Sequence, residues 1–135
     1  MKDMNKSIDD MLLSIESNRQ TIDEMLGTAK ENNNVIKSRL QQYAATHSCL
    51  NMEQMTAYAD YARAYDSVKQ LCGSTVNMSG AEKISRLHNT DLAYSLLDEM
   101  HTKQLNLMEQ ICSMLEKAGT AIKMLCRDAA AVPCY

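Results

Sequence analysis

The sequence contains no Phe and no Trp, and it has only one Pro and four Gly among its 135 residues. Sheet proteins use Gly and Pro at their tight turns, so this composition argues against a fold rich in strands. Its apolar residues include eleven Met and six Tyr, besides Leu, Ile and Ala. A chain of this length normally forms one domain. We therefore expect a single all-α domain.

Signals for nucleic acid, membrane and secretion are missing as well. The net charge is −3 and no basic run occurs, so we expect no nucleic-acid partner, because clustered Lys and Arg are what phosphates attract. No stretch approaches the ~20 apolar residues of a membrane span, so we expect no membrane partner. The first twenty residues mix acidic and apolar side chains, which argues against a Sec-type signal peptide.

The cysteines favour a reducing compartment. The chain has five Cys, an odd number, and none forms a CxxC pair. This pattern argues against a disulfide framework and predicts a cytoplasmic protein.

A seven-residue repeat organises the chain from Ser79 to Leu125. Three of its seven columns face a common side, the pattern of a helix in a coiled coil or bundle. Its a column is Leu87, Tyr94, His101, Met108, Leu115 and Ile122. Its d column is Thr90, Leu97, Gln104, Ile111, Ala118 and Leu125. Its g column is Ala93, Met100, Leu107, Met114 and Ala121.

A similar repeat runs through the first third of the chain. Leu12, Leu26 and Leu40 widen its apolar stripe on one side. Its a column is Ile8, Ile15, Ile22, Ala29, Ile36 and Tyr43. Its d column is Met4, Met11, Asn18, Met25, Asn32 and Arg39.

We predict three main helices in a long-short-long order, at residues 4–46, 52–72 and 80–127, within one domain at 1–128. We expect residues 129–135 to form a flexible tail. Asn51 with Gln54 predicts a capping box for the middle helix, and Gly73 predicts its end. The weak points are Gly27 to Asn34 and His88 to Thr90. Breaks there would give four or five helices.

The predicted helix lengths suggest an elongated helical bundle or coiled coil that self-associates. A helix of about 43 residues is ~65 Å long, while the middle helix reaches only ~32 Å. The uncovered part of the long stripe then needs another chain, so we expect a dimer. The residues assigned to that oligomer interface are Ile8, Ile15, Ile22, Met11 and Met25.

Polar residues within the stripes predict a register-setting role. Asn18, Asn32, His101 and Gln104 occupy core-facing positions, where a buried polar group selects register and partner at some loss of stability. The alternative is that each lies at a solvated edge of the bundle.

We find no residues for catalysis or metal binding. No nucleophile elbow or Gly-rich phosphate loop occurs, so we expect no enzyme and no catalytic residue. A di-iron bundle site needs two Glu-x-x-His motifs, and only Asp98 with His101 resembles one. His47, Cys49 and Cys72 span the length of the middle helix, so they could share a zinc ion only if helices from two chains met. We expect no cofactor.

The best candidate site is the face of the middle helix that carries Tyr58, Tyr61 and Tyr65. Tyrosine is enriched in binding hot spots, so we predict that this face binds a partner. The alternative is that these rings pack against the long helices.

The leading functional hypothesis is a non-enzymatic interaction module. It would be a self-associating helical adaptor, or a small acidic chaperone, that binds another helical protein. One alternative is a compact bundle that holds a small ligand or a metal. Another is a subunit of a helical filament or scaffold.

Overall fold

The computed structural model describes residues 4–46, 50–75 and 78–125. Four helices occupy them, α1 Met4–Thr46, α2 Met52–Thr75, α3 Met78–Ser85 and α4 Thr90–Leu125. The described residues contain no strand. The all-α bundle predicted from the composition is therefore confirmed, in its four-helix form. The predicted tail at 129–135 lies outside the described residues.

Helix α1 is one continuous element of 43 residues, with no break between Gly27 and Asn34. Tertiary packing outweighs the poor helix propensity there, because the buried column stays in phase across this stretch. That column is Ile8, Ile15, Ile22, Ala29, Ile36 and Tyr43, at most 5% exposed. Gly27 itself is exposed, and a Cβ added to it would meet nothing within 4 Å.

The start of α2 is fixed by the predicted capping box. The Gln54 backbone N–H donates to Asn51 Oδ1 at 2.9 Å, and the Asn51 backbone N–H donates to Gln54 Oε1 at 3.0 Å. The end of α2 differs from the prediction. The helix continues to Thr75, so Gly73 lies inside it. Helix α3 begins at Met78, so only residues 76–77 lie between the two helices in the sequence.

The predicted third helix is two helices, α3 and α4, separated by residues 86–89. Asn89 caps α4: its Oδ1 accepts the Leu92 N–H at 3.0 Å, and its carbonyl accepts the Ala93 N–H at 2.9 Å. An Asn side chain bonded this way satisfies a free N–H at a helix start. The break between α3 and α4 therefore falls where the Asn89 side chain can accept a backbone N–H that has no partner within α4.

The core seam of α4 uses two of the three predicted columns, d and g. Alternating steps of three and four residues place these two columns next to each other on the helix. The a column from Tyr94 onward is half-buried and flanks the seam. The buried members are Ala93, Leu97, Gln104, Leu107, Ile111, Met114, Ala118, Ala121 and Leu125.

The contacts divide the chain into two units. Unit 1 comprises Met1–Glu24 and Gln70–Glu109, and unit 2 comprises Met25–Lys69 and Gln110–Tyr135. Each unit thus contains one part of α1 and one part of α4. The single domain expected from the length stays a prediction.

The core of unit 1 joins α1, α3 and α4. Within it, Ile8 and Ile15 pack with Ala81, Ala93 and Leu97. Further along both helices, Gln104 Nε2 donates to the Ile15 carbonyl at 3.1 Å. Residue numbers therefore increase in the same direction on both sides of this seam, so α1 and α4 run parallel within unit 1.

The core of unit 2 joins the later part of α1, α2 and the end of α4. Two hydrogen bonds cross between these helices. Gln54 Nε2 donates to the Met124 carbonyl at 3.1 Å, and the Tyr61 hydroxyl donates to Asn33 Oδ1 at 2.7 Å. Together with the buried Ala57 and Val68, they hold one side of α2.

Candidate functional site

The most exposed apolar surface on α2 consists of Met52, Met55 and Tyr58, which we call the α2 methionine face. Their side chains are 65%, 51% and 38% exposed. Residues three apart lie along one side of a helix, so the three form a continuous strip. This strip lies entirely within unit 2. It is a surface on which an apolar partner could bury area.

The opposite side of α2 is well anchored. Gln54 is 1% exposed, and its amide makes both the capping bond with Asn51 and the bond to the Met124 carbonyl. Met124 lies in the last turn of α4, where carbonyls have no partner within their own helix. One buried side chain thus satisfies groups at the start of α2 and at the end of α4. The α2 methionine face therefore lies on a helix that is held in place by hydrogen bonds on its buried side.

The three predicted tyrosines lie in different environments. Tyr61 is 3% exposed and belongs to the core, Tyr65 is half-buried, and Tyr58 is exposed. Their rings follow one another, with centroids 6.5 Å apart for Tyr58 and Tyr61 and 6.0 Å apart for Tyr61 and Tyr65. Only Tyr58 presents a large part of its ring, and partner binding by this set stays a prediction.

Burial also changes the chemistry of Tyr61. It raises the pKa of the Tyr61 hydroxyl to about 12, and the neighbouring Tyr65 and Tyr58 add to the shift. A phenolate would lose its hydration in this position, so the protonated form is favoured. The proton is needed for the bond to Asn33 Oδ1. Tyr61 is therefore a neutral hydrogen-bond donor that anchors α2.

Unit 1 has a small polar cleft between α1 and α4, about 180 Å³ in volume. Its α1 side carries hydroxyl and carboxylate groups, and its α4 side carries a phenol and an imidazole. The lining residues are Ser7, Asp10, Met11, Ser14, Tyr94 and His101. Such a set can hydrogen-bond a small polar molecule. Drug-sized ligands generally occupy ~300–1,000 Å³, so this cleft suits something smaller.

The residues assigned to an oligomer interface lie largely inside the single chain. Ile15 and Ile22 are 0% exposed and Ile8 is 5% exposed, while Met11 and Met25 are half-buried. Another chain could reach Ile8 and Ile15 only by displacing the α3 and α4 residues that cover them. The predicted dimer would therefore need a different surface or a rearranged core.

The four predicted polar core residues also differ in burial. Gln104 is 0% exposed, whereas Asn18, Asn32 and His101 are half-buried. Gln104 contacts the Ile15 carbonyl, and His101 lines the polar cleft. The register-setting role of these four residues stays a prediction.

The described residues contain no group of three or more His, Cys, Asp or Glu side chains that could hold a metal ion. Of the cysteines, Cys72 and Cys112 are free thiols. Burial raises the pKa of the Cys72 thiol, which disfavours its nucleophilic thiolate form. His47 and Cys49, considered above as metal ligands, lie outside the described residues.

Sequence reasoning overlooked Met52 and Met55. The signal was present, because Met55 and Met52 stand three and six residues before Tyr58 in the sequence, which placed them beside the tyrosine face. No local pattern in the sequence indicated the second role of Gln54, its bond to the Met124 carbonyl, because these two residues are 70 positions apart.

Comparison of the chain with family models, with curated proteins and with solved structures found no match. Among the described helices, none combines the length and the apolar character needed to cross a membrane.

Proposed function

We propose that the chain is a non-enzymatic interaction protein whose α2 methionine face binds the apolar side of a helix from another protein. The observation that supports this is the exposure of Met52, Met55 and Tyr58 on a helix whose opposite side is buried. Met side chains are flexible and polarisable, which suits a surface that accepts a partner helix. A small acidic adaptor or chaperone in a reducing, cytoplasmic compartment is the concrete form of this proposal.

The dimensions of the strip fit a helical partner. From Met52 to Tyr58 the strip extends ~9 Å, and the half-buried Tyr65 prolongs it to ~20 Å along α2. A strip of that length matches the apolar residues on about three to four turns of a partner helix, the groove-binding mode used by many helical peptides. Self-association through the same strip is part of the proposal, because a second copy also offers such a helix.

The test compares Met55→Glu with the control Leu105→Glu in the full chain. Both positions carry exposed apolar residues, 51% and 48% exposed, but Leu105 lies on α4 in unit 1. Proteins retained from a cell extract by the wild-type chain are identified, purified and titrated against both variants by calorimetry. We expect Met55→Glu to weaken binding roughly tenfold or more and Leu105→Glu to leave it unchanged. Equal affinities for wild type and Met55→Glu would refute the proposal.

Self-association is measured on the same samples by light scattering. A mass of twice 15.2 kDa for wild type and Leu105→Glu, with a single-chain mass for Met55→Glu, would support dimerisation through this strip. A single-chain mass for all three would remove the dimer from the proposal. Circular dichroism must show equal helicity in all samples.

The cleft in unit 1 favours a second candidate function, binding of a small polar ligand. Asp10 and His101 face the same 180 Å³ space, so a small molecule with both a donor and an acceptor could be held there. Native mass spectrometry of the purified chain tests this candidate. A bound small molecule that is lost in His101→Ala supports it, and an unliganded mass for the wild-type chain counts against it.

A further inference from the structure

The cleft of unit 1 has a lining with negative charge. Of the six described residues that line it, Asp10 alone carries a formal charge at pH 7, with His counted as neutral. Asp98 follows Tyr94 by four residues and precedes His101 by three, so a second carboxylate lies beside the lining residues of α4. The cleft therefore attracts a cation more strongly than an anion.

The ion pairs of the described residues use other carboxylates. They join Arg19 to Glu16 and Asp23, Arg63 to Asp60, and Lys103 to Glu99. Asp10 and Asp98 are exposed and take part in none of these pairs. Neither charge is therefore neutralised by another side chain in the described part of the chain, and a cationic ligand would supply the missing partner.

Apolar side chains line the cleft as well as polar ones. Ser7, Asp10 and Ser14 are separated by steps of three and four positions, so they lie on one side of α1. Met11 and Tyr94 also line the cleft, and both pack against the core of unit 1. The cleft thus combines hydrogen-bonding groups with apolar side chains that are held in place by the core.

This combination suits an organic ammonium ion better than a bare metal ion. The described residues contain no group of three or more His, Cys, Asp or Glu side chains that could hold a metal. A primary ammonium group has three N–H donors and no acceptor. Asp10, Ser14 and His101 each offer an acceptor. Met11 and the Tyr94 ring offer contact area for a short carbon chain, and the face of a phenol ring also attracts a cation.

The volume of the cleft sets the size of its ligand. Its 180 Å³ equals the liquid volume of about six water molecules, at ~30 Å³ each. A non-hydrogen atom with its hydrogens takes roughly the space of one water molecule, so the cleft suits a ligand of about four to six non-hydrogen atoms. Short-chain amines fall within this range.

We propose that the cleft of unit 1 binds a small primary amine in its ammonium form. The Asp10 carboxylate accepts one N–H in a charge-assisted hydrogen bond, and Ser14 Oγ and a ring nitrogen of His101 accept the others. The carbon chain packs against Met11 and Tyr94. This inference rests on the second candidate function, ligand binding in this cleft, and is independent of the α2 methionine face.

The test uses three probes of equal size that differ in charge: isopropylammonium, acetamide and acetate. Each is titrated into the full chain at pH 7 and constant ionic strength, and the NMR signals of the His101 and Tyr94 rings are followed. We expect saturable shifts with a Kd of about 1 mM for isopropylammonium, and binding of the other two probes that is at least about fivefold weaker.

The outcomes separate this inference from the candidate function on which it rests. If acetamide or acetate bound as tightly as isopropylammonium, the preference for an amine would be wrong, while ligand binding in the cleft would stand. If no probe gave a saturable shift up to about a hundred times the expected Kd, both would be wrong.

Asp10→Asn and the matched control Asp9→Asn locate the bound cation. Both substitutions remove one exposed carboxylate from the same helix, but only Asp10 lines the cleft. We expect Asp10→Asn to weaken isopropylammonium binding at least about fivefold, and Asp9→Asn to change it less than about twofold. Equal weakening in both variants, or an unchanged Kd in Asp10→Asn, would overturn the inference. Circular dichroism must show equal helicity in both variants.

Discussion

The amides of Gln54 in unit 2 and of Gln104 in unit 1 differ in how completely they are paired. In unit 2, the oxygen and the nitrogen of the Gln54 amide and the Tyr61 hydroxyl each have a hydrogen-bond partner. These bonds hold α2 at its start and in its middle. In unit 1, the seam contains Gln104 Oε1 and Asn18 Nδ2 without partners among the described residues. Satisfied networks rigidify a core, whereas unmatched polar atoms weaken it.

The largest change in stability is expected from substitutions that create a cavity in the core of each unit. Leu97 in unit 1 and Ile36 in unit 2 are 0% and 1% exposed. We expect Leu97→Ala and Ile36→Ala each to reduce the free energy of unfolding by about 2–5 kcal/mol, through lost burial and a residual cavity. Urea unfolding by circular dichroism measures this.

Both cavity variants should also lower stability through one cooperative transition if the units unfold together. The exposed Leu105 supplies the control, since Leu105→Ala should change stability by less than ~0.5 kcal/mol. A large effect at Leu105, or none at Leu97, would contradict the described packing.

Removal of the Gln54 amide should have the next largest effect. Gln54→Met nearly keeps the volume but loses the bonds to the Asn51 N–H and the Met124 carbonyl. Because Asn51 is 4% exposed, its N–H would be left buried and unpaired, at about 1–3 kcal/mol. Thermal unfolding checks this.

Asn51→Ala is the companion variant for Gln54→Met. It removes only the side-chain bond to the Gln54 N–H and should be destabilising by about 1 kcal/mol. If Asn51→Ala proved more harmful than Gln54→Met, the bond to Met124 would have little energetic weight.

High pH should weaken unit 2 through Tyr61. Its folded pKa is raised to about 12, above the usual value of ~10 for the unfolded chain. The unfolded state therefore loses this proton first, so the stabilisation is complete below pH ~10 and is lost as the pH rises to ~12. Over this range we expect a loss of about 1–2 kcal/mol that is missing in Tyr61→Phe.

Unfolding curves of wild type and Tyr61→Phe, recorded at several pH values, measure that difference. Other groups titrate in the same range, but they do so in both proteins. If stability fell with pH equally in the two proteins, the pKa of Tyr61 would be the same in the folded and unfolded chains, and the prediction would be wrong.

The smallest expected effect is a gain in stability at two helical glycines. An added Cβ would meet nothing within 4 Å at Gly27 or at Gly119. Gly27→Ala and Gly119→Ala should each increase the free energy of unfolding by about 0.5–1 kcal/mol, because Ala loses less backbone entropy in a helix. A loss of stability at Gly27 would mean that α1 bends there.

Local sequence signals predicted the parts of the structure that depend on neighbouring residues. The Asn51–Gln54 capping box was confirmed, and so was the buried column of α1 from Ile8 to Tyr43. The sequence also marked His88 to Thr90 as a weak point. It could not tell that Asn89 would cap a new helix there, because an Asn within a strong repeat can also remain helical.

Distant contacts decided which residues of α2 are exposed and which columns of α4 are buried. The exposure of Met52 and Met55 follows from which side of α2 faces Asn33 and Met124, and no local pattern specifies that side. Likewise, three columns of α4 could have faced the core, and packing in the two units buried d and g.

By itself the sequence determined that this chain is helical, because composition, capping residues and a seven-residue period act over a few positions. Tertiary structure alone decided where the helices end at Thr75 and Ser85, which tyrosine of α2 is buried, and which methionines of α2 are exposed. The physical reason is that burial depends on contacts between residues far apart in the chain, such as Gln104 with Ile15. Such contacts outweigh the few tenths of a kcal/mol by which neighbouring residues prefer one conformation.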